Sequence, residues 1–442
     1  MARGEVLVST PFLTSIDPRA AVKGSRDPLG AQQLWTKLGR RVVGNLTTVS
    51  TSARDFTITM LGHHFANLIT QEDPAASRLD TFIRWEQLAA HVRAHENDAK
   101  GFRGSERVEK TLSEGPKFVL SADRRFQILS SQKMYGLWGL YTVPARASGL
   151  LEGDPAVPTE VAKAQIDQIL KRVAGARIDR LLELLLSVLR KARRSIELES
   201  DDANLSKQLG ALLSNRLLRS EASFYEAHLV RGGPGDTTCG RQAQLAELLS
   251  ETATDRRFGW SPSMVGELAK RANARGGEWR ELAAILRQIE TCANVLNAAS
   301  RIFDHLLTRD DSSFTRVASE YARHFGGGLR TVDPDHFDEI LGARTLEISS
   351  ESTERWCKLA RALATGDYPA AMRALMQHNA AVMAARGGQV WIAVDNGRLR
   401  VHMADQGADL PSERELRGAW DFPFFLNSLR DVVLAVEEAR RG

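Results

Sequence analysis

The strongest constraint on what this chain can fold into is the spacing of its apolar residues. Over 241–252, 262–275, 278–308, 313–325, 353–364, 368–385 and 424–440 they recur at intervals of three and four. That period places them on one face of an α-helix, where a strand would need strict alternation. Three earlier segments, 32–43, 57–71 and 78–95, read the same way. The second carries Ile58, Leu61, Phe65, Leu68 and Ile69 at helical spacing. Alternation is clear only near the C-terminal end, where QVWIAV and RLRVHM flank Asp395-Asn396-Gly397. Asn-Gly between alternating runs is a hairpin signature. The expected fold class is therefore mainly α, a multi-domain helical protein with a small β-hairpin at 389–403.

Breaks in the pattern suggest the organisation. Residues 149–158 (GLLEGDPAVP) crowd two prolines and two glycines between periodic segments, and 231–240 (RGGPGDTTCG) form a second breaker cluster. They divide the chain into 1–150, a mostly helical region with a basic lead-in; 151–232; and 233–442, with the hairpin. The middle region has a capping signal at Thr159 and a helical pattern to about residue 199, interrupted by Gly175. Unbroken, its roughly 40 residues would span about 60 Å, so it reads as a strut or an αα-hairpin. A further helical stretch follows over 201–222, and 118–129 reads as a strand and a turn. No internal repeat stands out.

Composition narrows the function classes. The 442 residues are 43% hydrophobic and 26% charged, ordinary for a globular protein. The three cysteines are far apart, with no CxxC pair, which argues against a disulfide framework and fits a reducing cytoplasm. The longest apolar run, LLELLLSVL at 181–189, is far shorter than the ~20 residues that cross a bilayer. A cytoplasmic protein without membrane contact is expected. Net charge is +4, and residues 1–60 alone hold eight Lys/Arg against four acids. That segment is the electrostatic candidate for a polyanion or an acidic partner.

No catalytic motif survives inspection. Gly235–Gln242 has the G-x4-G frame of a phosphate loop, but Arg241 and Gln242 replace the Lys and Ser/Thr that contact phosphate and magnesium. A flexible inter-helix loop is the expectation there. His63 and His64 are adjacent and so point about 100° apart on a helix, while His91 and His95 share a face. Either set needs further ligands to hold a metal. Asp333 to Asp338 cluster three carboxylates and His336, as a capped helix start would. Cys239 and His228 are a conceivable thiol–imidazole pair. The aromatic, glycine-dotted run 133–141 fits base stacking or core packing. Neither a cofactor nor a metal site is expected.

Binding is better represented. Lys23 and Arg26 lie in an irregular Gly/Pro-bracketed loop, followed by Trp35, Arg40 and Arg41; Trp and Arg dominate interface energetics. Partner docking and intrachain bracing both explain this block. The run Arg190, Lys191, Arg193, Arg194 is either a helix-end cation cluster or a phosphate-contact patch.

The pattern GSRDPLG followed by WxxLGRxVVGNLTTV (35–49) resembles uncharacterised bacterial proteins encoded in antiphage-defence gene clusters, with a looser echo around 356–391. Such clusters carry helicases and nucleases. The resemblance covers about the first 70 residues and implies a context, with no catalytic residues to carry over. The expected function is a non-catalytic subunit of a bacterial antiphage-defence or DNA-transaction complex, binding protein partners such as a helicase or nuclease, and DNA or RNA. The alternatives are a nuclease-like enzyme with a scattered His/Asp site and a self-assembling helical scaffold.

Overall fold

The computed structural model describes residues 27–343, 346–404 and 409–441. Setting aside short 3-10 and π turns, the chain begins α1 (Gln32–Arg40), α2 (Ala53–Glu72), α3 (Arg78–Asn97), α4 (Ser105–Ser113), β1 (Lys117–Ser121), α5 (Gln132–Tyr135) and α6 (Leu137–Ala147). It continues β2 (Leu151–Glu152), β3 (Val157–Pro158), α7 (Glu160–Ala174), α8 (Ile178–Arg190), β4 (Arg193–Glu197), α9 (Ala203–Leu212), α10 (Arg219–Tyr225) and α11 (Arg241–Glu251). Then come α12 (Pro262–Arg275), α13 (Trp279–Leu306), α14 (Phe314–Phe325), α15 (Pro334–Gly342), α16 (Ser350–Thr365) and α17 (Tyr368–Arg386). The hairpin β5 (Ile392–Asp395) and β6 (Arg398–Val401) precedes α18 (Glu413–Gly418) and α19 (Leu426–Arg441). The fold is mainly α, and its sheets among the described residues have two strands each. No described helix is long and apolar enough to cross a membrane.

Two compact units share the chain discontinuously. One takes residues up to Leu38 and Gly259–Phe424; the other takes Gly39–Phe258 and Phe425 onward. The expected breaks at 150 and 232 both fall inside the second unit.

In the first unit, α12 packs on α13 and α16 on α17. Ser261 caps α12 by accepting from the Met264 amide, with Pro262 at the first helical position. The hairpin turns through Asn396 and Gly397, both at positive φ (49° and 74°), as the two-residue turn requires.

The second unit is built around α2 and α3. Residues 53–63 and 81–93 are buried without exception, so both helices are enclosed on every side along these stretches. They approach closely: a Cβ on Gly62 would sit 2.6 Å from the Phe82 ring, and Trp85 Nε1 donates to the Ile58 carbonyl at 2.8 Å. Such helices should be apolar all round. These instead bury Arg54, Asp55, Arg84, Glu86, Gln87 and Arg93. A buried charge is tolerable only when partnered, and partners arrive from distant segments. Arg54 spans both Glu221 oxygens at 2.8 and 2.9 Å and donates to the Ser214 and Arg216 carbonyls. Thr57 hydrogen-bonds Tyr225. Arg93 reaches Asp55 at 2.8 Å, and Arg84 Nε the Leu189 carbonyl at 2.8 Å. Gln87 exchanges two bonds with the Ser121 backbone. Glu86 accepts from Gln132 and the Leu137 amide, and burial raises its pKa to about 7.

Three expectations are corrected. The pattern read as helical to about residue 199 ends at Arg190, and Arg193–Glu197 is a strand antiparallel to β1. The stretch 201–222 divides into α9 and α10. Of Gly235–Gln242, expected as a flexible inter-helix loop, Arg241 and Gln242 open α11, and the loop before them is held by its own hydrogen bonds. Asp236 accepts from the Thr238 amide and hydroxyl and from the Gly240 amide. Beyond it, Gln242 accepts from the Gly44 amide and donates to Asn45 and the Leu229 carbonyl.

Removing one partner of a buried pair strands the other. Glu221→Ala should therefore cost about 3–5 kcal/mol, read as a lowered denaturant midpoint. A loss below 1 kcal/mol would show that Arg54 finds another acceptor. The Glu86 pKa is shifted upward, so its effect on stability has the opposite pH dependence to that of an ion-paired carboxylate. With its folded pKa raised above the ordinary 4.5 to about 7, the stability it confers is complete below its ordinary value and declines as pH rises towards 7. Denaturation of wild type and Glu86→Gln at about pH 5 and pH 8 should show the variant gaining relative to wild type at the higher pH.

Candidate nucleic-acid interface

The antiparallel register of β1 and β4 sorts the charges at 190–194. Pairs Lys117–Glu197, Val119–Ser195 and Ser121–Arg193 face one way; Phe118–Ile196 and Leu120–Arg194 face the other, where Phe118, Leu120 and Ile196 are buried. Successive residues of a strand point to opposite faces, so the arginine doublet is split. Arg194 turns inward and binds Asp202 at 2.7 Å. Asp202 also accepts from the Glu197 amide, which fixes the end of the strand. Arg190 lies at the end of α8, paired with Glu72. Arg193 faces outward, and Lys191 precedes it in an exposed position.

The fold adds residues that sequence inspection left aside. A 3-10 turn at Arg124–Phe126 follows β1. The Phe126 ring lies under the guanidinium of Arg193 at 4.9 Å and that of Arg125 at 5.7 Å. Asp123 clamps Arg125, whose hydrogen bonds hold the Asp123 carboxyl down at about 2. Arg124, Lys191 and Arg193 have no ion-pair partner among the described residues, and all are exposed. The edge thus carries four cations, two of them over the half-buried Phe126 ring, and Asp123 is paired with one of these, Arg125. Chemically it can contact phosphates without reading bases.

The N-terminal block is placed differently. Lys23 and Arg26 lie outside the described residues. Trp35 meets Phe424 edge-on at 6.3 Å in the first unit. In the second unit Arg40 donates to the Val43, Gly44 and Leu46 carbonyls and stacks over Phe425 at 3.9 Å. The Arg41 carbonyl accepts from Arg241. Arg40 braces the chain where it leaves α1.

The histidines and aspartates do not gather. His63 bonds Thr142 and packs on Phe82 and Trp138; burial, then Arg146, lowers its pKa to about 4. His91 stacks on Phe118 at 3.8 Å and donates to Gln87, with burial again lowering it to about 4. His95 lies 3.9 Å from Glu96. Asp333 caps α15, Asp338 accepts from Cys357 and Arg361, and His336 bonds Thr291. His228 bonds the Ser148 carbonyl, and Cys239 is exposed. Among the described residues no group of three or more His, Cys, Asp or Glu is placed to hold a metal ion.

No family model matches the chain, and neither a curated protein nor a solved structure matches it.

The two neighbouring arginines should separate in stability measurements. Arg194→Ala strands Asp202 and should cost about 1–3 kcal/mol, whereas Arg193→Ala should stay within about 0.5 kcal/mol of wild type. Equal losses in chemical denaturation would contradict the assigned faces.

Proposed function

We propose that this protein is a non-catalytic binding subunit of a bacterial antiphage-defence or DNA-transaction complex, and that it holds nucleic-acid backbone along the β1–β4 edge. The observation carrying the reading is that Arg125 and Arg193 share the Phe126 ring, which brings together two basic segments about 70 residues apart in sequence, Arg124-Arg125 and Lys191 to Arg193. Arg124, Lys191 and Arg193 have no ion-pair partner among the described residues, so each has one to gain from a bound anion. Phosphate is the acceptor that guanidinium and ammonium groups share. The likeness of 35–49 to defence-cluster proteins supplies the context, and protein partners encoded alongside are part of the proposal.

Fluorescence anisotropy with labelled single- and double-stranded oligonucleotides tests it. Affinity should fall as salt rises, and Lys191→Glu with Arg193→Glu should weaken binding at least tenfold and flatten the logarithmic salt slope by about 1–2. Unchanged affinity and slope in the folded double variant would overturn the proposal.

A further inference from the structure

A second site lies in the same unit and owes nothing to the basic edge. Between the start of α2 and the turn into α4 is a cleft of about 470 Å³ whose walls include Asp55, Arg93, Lys100, Phe102, Arg103 and Tyr141. Its charges are incompletely matched. Arg93 has a side chain only 9% exposed, and one terminal nitrogen donates to Asp55 at 2.8 Å. Its Nε is buried with no hydrogen-bond partner. Single buried nitrogens of Arg78, Arg355 and Arg430 likewise lack an acceptor, so the cleft is marked by its cluster of cations and not by this atom. Arg103 is half-buried and has no ion-pair partner among the described residues. Lys100 is exposed and engages Asp98 at 3.3 Å. Three cations therefore line the cleft with Asp55, while Asp98 engages Lys100 and the buried Glu86 lies near enough to Arg103 to feel its charge.

The backbone adds to this. Thr51 and Ser52 line the cleft where α2 begins, and the positive end of a 20-residue helix opens there. Phe102 and Arg103 are carried over the cleft by a short loop between Gly101 and Gly104, at φ 72° and 85°. A side chain is strained at either value, and a Cβ on Gly104 would also press on the Ile128 carbonyl at 3.0 Å. The loop's course is thus fixed by glycine, and it brings an aromatic face and a free guanidinium to the same opening. The Arg93 guanidinium lies 5.1 Å from the Phe102 ring centroid. Tyr141 closes the far wall, its hydroxyl donating to the Val49 carbonyl at 3.0 Å.

From the Arg93 guanidinium, which has Asp55 as its single hydrogen-bonded acceptor, the unpaired Arg103 and the helix start beside them, we propose that this cleft binds a phosphomonoester, with the phosphoryl oxygens on the terminal nitrogens of Arg93 and on Arg103 and an organic body against Phe102. A phosphomonoester carries two charges and several acceptors on one small group. That matches multiple convergent donors better than a single carboxylate does, and the volume suits a ligand of mononucleotide size. Two sources share this chemistry, a free nucleotide and the 5′-phosphate end of a strand.

Calorimetric titration of the full chain with inorganic phosphate, the four ribonucleoside 5′-monophosphates and adenosine tests the site. Phosphate and at least one monophosphate should bind saturably, and adenosine should not. Arg103→Gln should weaken monophosphate binding at least tenfold with an unchanged melting temperature. Arg93→Lys, which keeps a cation beside Asp55 but removes the forked guanidinium, should weaken it similarly. The Lys191→Glu, Arg193→Glu variant should bind monophosphate like wild type, so failure of the edge and failure of the cleft are distinguishable. In that background, displacement by a 5′-phosphorylated oligonucleotide and not by its 5′-hydroxyl counterpart supports the site with a strand end as its ligand. Displacement by neither supports it with a free nucleotide. Displacement by both equally overturns the monoester assignment. Absence of saturable binding, or equal affinity in wild type, Arg103→Gln and Arg93→Lys, overturns the site itself.

Discussion

The second unit depends on charged residues at the start of one buried helix. Arg54 and Asp55 occupy the first turn of α2, where the helix is enclosed, and each must be neutralised inside the protein. Arg54 commits α2 to α10 through Glu221. Asp55 commits it to α3 through Arg93. One dipeptide therefore fixes the angular position of α2 against two neighbours that apolar contact alone would leave freer to rotate or slide. The remaining buried polar groups of the pair, from Thr57 to Gln87, follow the same logic and draw in β1, α5, α6 and α8.

Both proposed binding regions follow from that arrangement. Gln87 holds Ser121 at the end of β1 by its backbone, which sets the register that turns Arg193 outward and Arg194 inward. Arg93 is placed by Asp55, and that single carboxylate leaves the rest of its guanidinium unmatched beside a cleft. The edge is open and cationic, suited to a repeating backbone. The cleft is recessed and asymmetric, suited to one compact anion beside an aromatic face. A binding subunit with both would combine non-selective attachment with recognition of a particular phosphoryl group.

Much of the helical architecture was legible because it rests on local signals. Asn396-Gly397 between alternating runs specifies its hairpin, Ser261-Pro262 starts α12, and Thr159 caps α7 through the Ala162 amide. What escaped was set by distant partners. Arg193–Glu197 contains one apolar residue, Ile196, and is a strand because β1 lies beside it. The glycine cluster near 235 reads as flexible until Gly44, Asn45 and Gln242 bind one another. The edge was half visible: the run 190–194 stood out, but two of its four cations turned out to be committed to Glu72 and Asp202. Arg124-Arg125-Phe126 directly after a strand pattern was the available signal for the other half. The cleft left no trace in the sequence, because Asp55, Arg93 and Arg103 are unremarkable until folding brings them to one cleft.

The central claim, that this chain works by holding phosphate on the second unit, is tested most directly by hydrogen exchange across the whole chain with and without a saturating oligonucleotide. The account predicts slowed exchange concentrated in 117–126 and 191–197, with the first unit unchanged. Slowing confined to other segments, or no change at saturation, would contradict it.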